Sequence, residues 1–209
     1  MNRREFLSGL ACQLMPPMET HLVLAIDVSA SVDGYEFKLQ REGYAEALQH
    51  RDVVESFIQS GGVWLTAFEW SEMRQQNLVF PWTFVATARD AEVVAQAMFS
   101  IPRVYSGGFT AVGAAMEYAE GLLRGRHGRK VIDVSGDGGS NQGVQPSDVR
   151  NRLQNQGVTV NGLAIQDTEP GVAEYYREHV KTEDGFVMEV LERETMAYTL
   201  INKMRREVA

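Results

Sequence analysis

The sequence predicts an α/β fold: a doubly wound, mostly parallel central sheet with one antiparallel edge strand and helices on both faces. Three observations favour it. A short, nearly continuous apolar run at residues 22–27 is typical of a strand buried on both faces. Longer amphipathic segments separate such runs, and strand–helix alternation indicates parallel β-α-β units. The 209 residues are enough for one domain of this kind with its own core.

The elements are predicted in the following order along the chain. A buried strand at residues 22–27 is followed by one long helix that begins at Asp33-Gly34 and ends near residue 57. A hairpin comes next, and Pro81 confines its second strand to a sheet edge, because proline cannot donate a ladder hydrogen bond. Periodicity then predicts helices at residues 88–99, 111–123, from 146, 172–180 and 194–208, and strands at 63–70, 77–84, 131–134, 158–165 and 186–190.

Composition excludes several classes of protein. The 28 acidic residues outnumber the 20 Lys and Arg, and the net charge of -8 argues against nucleic acid as a partner, because phosphate binding needs a basic surface. The single cysteine, Cys12, cannot form an internal disulfide framework or a thiolate zinc cluster. No apolar stretch approaches the ~20 residues that a membrane-spanning helix needs. We therefore predict an acidic globular protein with no transmembrane span.

Residues 1–20 are predicted to lie outside the fold, so the predicted domain covers residues 21–209. Arg3-Arg4 followed by Phe6-Leu7 resembles a twin-arginine export signal, and a basic start before an apolar stretch is the general plan of such segments. This pattern predicts a periplasmic or otherwise exported protein. The alternative is a frayed or shortened amino-terminal tail on a cytoplasmic protein.

Oxygen-bearing side chains follow the predicted strands at three places. Asp27, Ser29 and Ser31 come at the end of the first strand and directly after it. Thr110 ends a glycine-containing loop, and Asp137 follows a later buried strand. Because ligands of such sheets bind beyond the carboxyl ends of the strands, we expect the three loops to meet at one rim. Carboxylate, hydroxyl and water oxygens are the ligands that Mg²⁺ prefers, so the pattern predicts a metal site.

Each of these residues also has a purely structural interpretation. Ser29, Ser31 and Asp33 could cap the helix that follows the first strand, since Ser and Asp are good capping residues. Thr110 could cap the next helix, and Asp137 could be a turn residue among glycines. The joint occurrence of the three loops favours the metal site over this alternative.

The set Asp27-x-Ser29-x-Ser31, Thr110 and Asp137 resembles the metal-ion-dependent adhesion site of von Willebrand factor A domains, in the order and rough spacing of its residues. The resemblance covers residues 21 to about 208 and implies the Rossmann-like α/β fold of that family. A closer resemblance is to an uncharacterised bacterial family of single-domain proteins of this type. It is carried by residues 25–33, 69–71, 81–83, 131–138, 141–143 and 161–163.

The resemblance implies a role for each residue of the site. Ser29, Ser31 and, when a partner is bound, Thr110 would coordinate Mg²⁺ or Mn²⁺ directly, and Ca²⁺ less readily. Asp27 and Asp137 would act mainly through bound waters. With few direct carboxylates, the metal keeps positive charge and an open position that a partner's Asp or Glu can fill.

The function predicted on this basis is metal-dependent binding of a protein partner, with no catalytic residue and no organic cofactor. One alternative is a metal-dependent hydrolase, which would need Asp27, Asp137 or Glu69 as its general base. Another is an accessory subunit of an ATPase or metal-insertion assembly. The sequence predicts no oligomeric state.

Overall fold

A computed structural model of the protein describes residues 19–100, 102–165 and 171–209. Within these residues one sheet is formed by β1 (Thr20–Asp27), β2 (Val63–Trp70), β3 (Gln76–Val85), β4 (Arg129–Gly136), β5 (Val158–Ile165) and β6 (Val187–Val190). Their order across the sheet is β3-β2-β1-β4-β5-β6, and all neighbours are parallel except β2 and β3. The predicted mostly parallel sheet with one antiparallel edge strand is confirmed.

Helices cover both faces of this sheet. They are α1 (Gly34–Gln49), α2 (Arg51–Gln59), α3 (Ala88–Ser100), α4 (Val112–Leu123), α5 (Pro146–Asn155), α6 (Val172–Tyr175) and α7 (Met196–Val208). Successive residues of β1 alternate between two apolar clusters: Leu22 and Leu24 pack on the side of α1 and α7, and Val23 packs on the side of α4 and α5. Burial on both faces explains why the β1 sequence is continuously apolar.

The edge strand β3 is irregular where Pro81 lies. The pairing of β2 with β3 shifts register between Leu65 and Ala67, and this shift falls opposite the segment from Phe80 to Thr83 that contains Pro81. The Thr66 hydroxyl donates to the carbonyl of Phe80 at 2.8 Å and so supplies a side-chain bond at the shift. The bulge accommodates a residue that cannot donate to the ladder, as expected for an edge strand.

The helix predicted from Gly34 to residue 57 is two helices, so that prediction is wrong in its length. His50 has a ψ of 132°, which is extended backbone and ends α1. Its Nδ1 atom accepts a hydrogen bond from the backbone N–H of Asp52 at 3.3 Å and caps α2. Both helices bury apolar residues in the same cluster, including Leu48 and Val53, so the hydrophobic pattern continues across the break.

A buried ion cluster joins α7 to the sheet. Lys203 lies between the carboxylates of Asp133 on β4 and Glu207 on α7 and forms an ion pair with each of them. All three side chains are fully buried. The Asn161 side chain on β5 donates a further hydrogen bond to Glu207 at 3.3 Å. One cation therefore serves two carboxylates inside the core.

The amino-terminal segment of residues 1–18, with Arg3, Arg4 and Cys12, lies outside the described residues. Its role as an export signal stays a prediction. In the part of the chain that the structure describes, no helix is both long and apolar enough to cross a membrane. The predicted helix at residues 172–180 is present as α6 followed by a π-helix, Tyr176–Val180.

Candidate metal centre

The direction of strand order reverses between β1 and β4, which are parallel neighbours in the middle of the sheet. The chain continues from β1 to β2 and β3 on one side, and from β4 to β5 and β6 on the other. Asp27 is the last residue of β1, and Asp137 follows Gly136, the last residue of β4. Both carboxylates therefore stand at the reversal point, where sheets of this kind bind ligands.

The loop after β1 folds back on itself and brings its hydroxyls to these carboxylates. The Ser29 backbone N–H donates to Oδ1 of Asp27 at 2.7 Å. The hydroxyl oxygens of Ser29 and Ser31 are 3.3 Å apart, and the Ser31 hydroxyl donates to Oδ1 of Asp137 at 2.7 Å. One loop thus links the two strand ends through side-chain oxygens.

The loop between α3 and α4 brings a third hydroxyl. The Thr110 hydroxyl donates to Oγ of Ser29 at 3.3 Å. Asn141, in the loop after β4, holds Thr110 in place from both sides of its backbone: Oδ1 of Asn141 accepts from the Thr110 N–H at 2.8 Å, and the Asn141 N–H donates to the Thr110 carbonyl at 2.9 Å. The structure therefore brings all five predicted site residues into one connected group, here named the donor cluster (Asp27, Ser29, Ser31, Thr110 and Asp137).

The donor cluster is buried except on one side. Asp27 and Ser29 are fully buried, Asp137 and Thr110 are nearly so, and Ser31 is exposed. Ser31 is therefore the residue of the donor cluster that an ion from solvent would meet first.

The electrostatics of the cluster favour a cation. Burial, together with the nearby charge of Asp137, raises the pKa of Asp27 to about 8. Oδ2 of Asp27 is buried and has no hydrogen-bond partner among the described residues. A buried carboxylate oxygen without a hydrogen-bond partner is costly when the group is ionised, and a cation beside it offsets that cost. The donor set also fits: two carboxylates and three hydroxyls are hard oxygen ligands suited to Mg²⁺ or Mn²⁺.

The donor cluster contains no His or Cys side chain, so its ligands would all be oxygen atoms. Within residues 19–100, 102–165 and 171–209, no group of three or more His, Cys, Asp or Glu side chains is placed to hold a metal. Two carboxylates alone would be a weak site, so the hydroxyls have to complete it.

The capping interpretation holds for one residue only. Asp33 is the N-cap of α1, and its carboxylate accepts from the backbone N–H of Glu36 at 2.7 Å. The N-cap of α4 is Ala111, with no side-chain cap bond, so the Thr110 hydroxyl does not cap that helix. The hydroxyls of Ser29 and Ser31 form hydrogen bonds inside the donor cluster.

Two supporting residues were not predicted from the sequence. Arg103 donates from Nη2 to the carbonyls of Val28 and Ser29, at 2.8 and 3.2 Å, and from Nε to the carbonyl of Tyr105 at 2.6 Å. It therefore fastens the loop after β1 to the loop after α3. Asn141 belongs to a segment that carried the family resemblance, but nothing in its sequence position indicated its hydrogen bonds. Neither role has a local sequence signal, because each depends on how separate loops pack.

Tyr176 packs beside the donor cluster, next to Gly136 at the end of β4. Its hydroxyl is fully buried and has no hydrogen-bond partner among the described residues. A Cβ atom added to Gly136 would lie 2.4 Å from this hydroxyl and 2.8 Å from Oδ2 of Asp27. Burial and the charges of Asp27 and Asp137 raise the pKa of Tyr176 well above its usual range, so it remains a neutral donor. The glycine makes room for both oxygens.

We predict that Gly136→Ala lowers the free energy of unfolding by about 1–3 kcal/mol, because the added methyl group overlaps both oxygens. Adding Tyr176→Phe should recover part of this loss, since it removes one of the two. Urea unfolding measures both effects. Gly121→Ala is the matched control: it has open space at Cβ on α4 and should be neutral or stabilising. Equal stability of Gly136→Ala and wild type would contradict the packing described here.

Residues 17–209 match the sequence model of a family described as "Protein of unknown function (DUF1194)". No curated protein matches the chain significantly.

Solved structures that resemble the chain include von Willebrand factor A domains. Proximal thread matrix protein 1 from the mussel byssus superposes with a TM-score of 0.66 at 17% identity, over 90% of this chain and 47% of that one. A von Willebrand factor type A protein from Catenulispora acidiphila gives 0.67 at 17% identity, over 91% and 43%. The vWF domain of the type V pili tip protein Mfa5 from Porphyromonas gingivalis gives 0.63 at 9%, over 92% and 96%.

These similarities establish the fold. The present chain spans about half the length of the mussel and Catenulispora proteins. Another structure of the mussel protein has zinc in its MIDAS (metal-ion-dependent adhesion site) motif. It superposes with a TM-score of 0.63 at 17% identity, over 90% of this chain and 48% of that one.

Proposed function

This chain belongs to the DUF1194 family and has a von Willebrand factor A fold, and from that premise we propose that it is a metal-dependent protein-binding module. A divalent cation, Mg²⁺ or Mn²⁺ before Ca²⁺, is held by the donor cluster and binds an Asp or Glu of a partner protein. The observation that carries the proposal is the unpartnered, buried Oδ2 of Asp27 in a cluster that also holds three linked hydroxyls. The zinc-occupied MIDAS motif of the mussel protein supports a divalent ion.

Each residue of the donor cluster has a distinct part. Ser29, Ser31 and Thr110 offer hydroxyl lone pairs to the ion. Asp27 and Asp137 compensate its charge, and Asp27 is already oriented because its Oδ1 accepts from the Ser29 N–H. The bound ion supplies a Lewis-acidic position that a partner's carboxylate can occupy.

The arrangement supports binding rather than turnover. A hydrolase using this rim would need a general base beside the ion. Glu69, the carboxylate outside the cluster that could serve, is buried at the end of β2, and burial raises its pKa while the charge of Arg41 opposes that rise. Among the described residues Glu69 forms no hydrogen bond with the donor cluster, so we assign it no part in chemistry.

We predict that Ser29→Ala weakens binding of Mg²⁺ and Mn²⁺ by about 10–100-fold, because it deletes a central hydroxyl of the cluster. Calorimetric titration of the ions into metal-free protein measures this. Ser135→Ala is the matched control, since Ser135 is a buried serine of β4 whose hydroxyl donates to the Ala25 carbonyl at 3.3 Å. Absence of saturable binding to folded wild type, or an unchanged affinity in Ser29→Ala, would contradict the proposal.

We also propose that the module acts outside the cytoplasm. The Arg3-Arg4 pair followed by Phe6-Leu7 supports this, as do the pilus and byssus sources of similar structures. Replacing both arginines with lysine should retain the protein in the cytoplasm, as followed by cell fractionation. A wild-type protein found only in the cytoplasm would overturn this location.

A further inference from the structure

A basic and aromatic surface lies at the end of the sheet opposite the donor cluster. Residues 124–130 follow α4, lead into β4 and read Arg-Gly-Arg-His-Gly-Arg-Lys, a dense run of cations in a chain with a net charge of -8. The parallel strands begin at this end, and the eight residues of β1 separate it from Asp27 by roughly 20–25 Å. We name this surface the basic face; it comprises Trp64, Trp82, Phe84, Arg124, Arg126 and Lys130.

The strand register places one row of side chains on the same side of the sheet. Lys130 on β4 is opposite His21 on β1, and His21 is opposite Trp64 on β2. Trp64 is in turn opposite Phe84 on β3. Directly opposed residues of neighbouring strands point to one face of a sheet, and Val23, two residues after His21, shows which face this is. The row therefore lies on the α4 side, where the loop from α4 to β4 arrives.

Aromatic rings hold this loop in place. The Arg126 guanidinium lies 4.5 Å from the ring centroid of Trp82 and 5.4 Å from that of Trp64. The Trp82 indole N–H donates to the carbonyl of Leu122, at the end of α4, at 3.2 Å. Both tryptophans are half-buried, and Phe84 is 38% exposed. The basic face thus combines fixed cations with rings that still reach solvent.

The cations of the basic face form one positive patch. Burial lowers the pKa of His21, and the charges of Arg126 and Lys130 lower it further against the opposing charge of Glu19. Two cations therefore lie close enough to act on one buried ring. The Arg124 side chain is exposed, and neither it nor Lys130 forms a hydrogen bond or a salt bridge with any residue that the structure describes. Their charge is available to an anionic partner.

A cleft beside the loop carries the same charge. It has a volume of about 300 Å³ and is lined by Arg124, Lys130 and Gln156. Glu120 also lines it, but its carboxylate accepts from Arg152 at 2.9 Å and from Gln156 at 2.7 Å, so its charge is already compensated. Salt limits the reach of acidic residues elsewhere on the chain to about 10 Å. Locally the basic face is cationic although the whole protein is acidic.

The amino-terminal segment joins the domain beside the basic face. Glu19 precedes β1, and its carbonyl accepts from the Arg129 N–H, within the basic run, at 2.9 Å. Residues 1–18 include the pair Arg3-Arg4 and an apolar stretch at 6–15. Basic residues together with apolar ones are the combination that anionic bilayers attract, and tryptophan favours the boundary between head groups and acyl chains.

We propose that the basic face binds the surface of a membrane containing anionic phospholipid. Head-group phosphates contact Arg124 and Lys130, and the rings of Trp64, Trp82 and Phe84 lie at the level of the head groups. The carboxyl ends of the strands then point away from the bilayer, which leaves the donor cluster open to solvent. This inference concerns the opposite end of the sheet and does not depend on a bound metal ion.

The first experiment measures co-sedimentation of the full chain with phosphatidylcholine vesicles, with and without phosphatidylglycerol. We expect binding only with phosphatidylglycerol, weakening as salt is raised. The double variant Arg124→Gln, Lys130→Gln should bind about tenfold or more weakly, since each cation near an anionic bilayer contributes about fivefold. Lys38→Gln, Arg74→Gln is the matched control: it removes the same charge from exposed positions elsewhere and should bind as wild type does.

Several outcomes would overturn the proposal. Wild type that does not bind, or that binds neutral vesicles equally well, would do so. Equal affinity of the two double variants would assign any binding to another part of the chain, including residues 1–18. Displacement from vesicles by millimolar inorganic phosphate would indicate a site for a single anion. A dimer in vesicle-free buffer that Arg124→Gln, Lys130→Gln dissociates would assign the face to a second copy of the chain.

The second experiment tests the orientation with vesicles whose acyl chains are brominated and quench nearby tryptophan fluorescence. The chain has three tryptophans, and Trp70 is fully buried at the carboxyl end of β2. At vesicle concentrations that bind both proteins fully, wild type should be quenched. Trp64→Phe, Trp82→Phe, which retains only Trp70, should not be quenched. Equal quenching of the two proteins would place the wrong end of the sheet at the bilayer and overturn the inference.

Discussion

Lys203→Met should lower the free energy of unfolding by about 3–5 kcal/mol, the largest effect on stability that we expect from one substitution. The change removes the cation between Asp133 and Glu207 and leaves two carboxylates facing each other in the core. Urea unfolding near neutral pH measures the loss. Lys38→Met is the control: its exposed pair with Glu42, at 3.7 Å, should contribute less than about 1 kcal/mol.

The loss in Lys203→Met should depend on pH. Burial and the charge of Asp133 raise the pKa of Glu207 to about 7 even in the wild type. A carboxyl whose pKa is raised on folding binds its proton more tightly in the folded state, so stability rises as the pH falls toward the unfolded value. The deficit should therefore be largest above about pH 7 and shrink in mild acid. A variant as stable as wild type at every pH would show that the buried ion cluster contributes nothing.

Asp27→Asn should weaken binding of Mg²⁺ by about 100-fold or more. It should also change how the stability of the metal-free protein depends on pH. The pKa of Asp27 is raised to about 8 in the folded state, against about 3.9 when unfolded. The folded state therefore retains a proton that the unfolded state releases, and stability of the metal-free wild type falls as the pH rises between these values. Asparagine removes this dependence.

Urea unfolding in chelator, at about pH 6 and about pH 8, measures the second effect. We expect the wild type to lose about 2 kcal/mol more than Asp27→Asn between the two conditions. Glu207 titrates in the same direction in both proteins, so the comparison between them isolates Asp27. Mg²⁺ should stabilise the wild type most at the higher pH and leave the variant unchanged. Equal slopes, or wild-type affinity in Asp27→Asn, would count against the assigned site.

The sheet could be predicted from sequence because its strands are buried on both faces. The predicted strands at residues 63–70 and 158–165 coincide with β2 and β5, whose residues are almost all buried. The break at His50 could not be predicted, because apolar residues on both sides of it face one cluster. Lys203 and Glu207 read as an ordinary pair one helical turn apart, and sequence does not tell whether such a pair is buried or exposed.

The candidate site, like the sheet, has one feature that sequence could predict and others that it could not. Proximity of Asp27 and Asp137 follows from strand order alone, because Asp27 ends β1 and Asp137 follows β4 at the carboxyl ends of two parallel neighbours. The positions of Arg103, Asn141 and Tyr176 depend on the packing of loops and of a π-helix, and local sequence does not encode that packing. The metal-binding role of the donor cluster stays a prediction until an ion is titrated.

The buried ion cluster also has a consequence for synthesis. A ribosome adds α7 after all six strands, so Asp133 is synthesised before the Lys203 that neutralises it. The apolar cluster around Leu22 and Leu24 likewise waits for Leu200 and Met204. Asp137 lies four positions beyond Asp133 at the end of the same strand. The donor cluster is therefore connected through β4 to an ion pair that only the last helix completes.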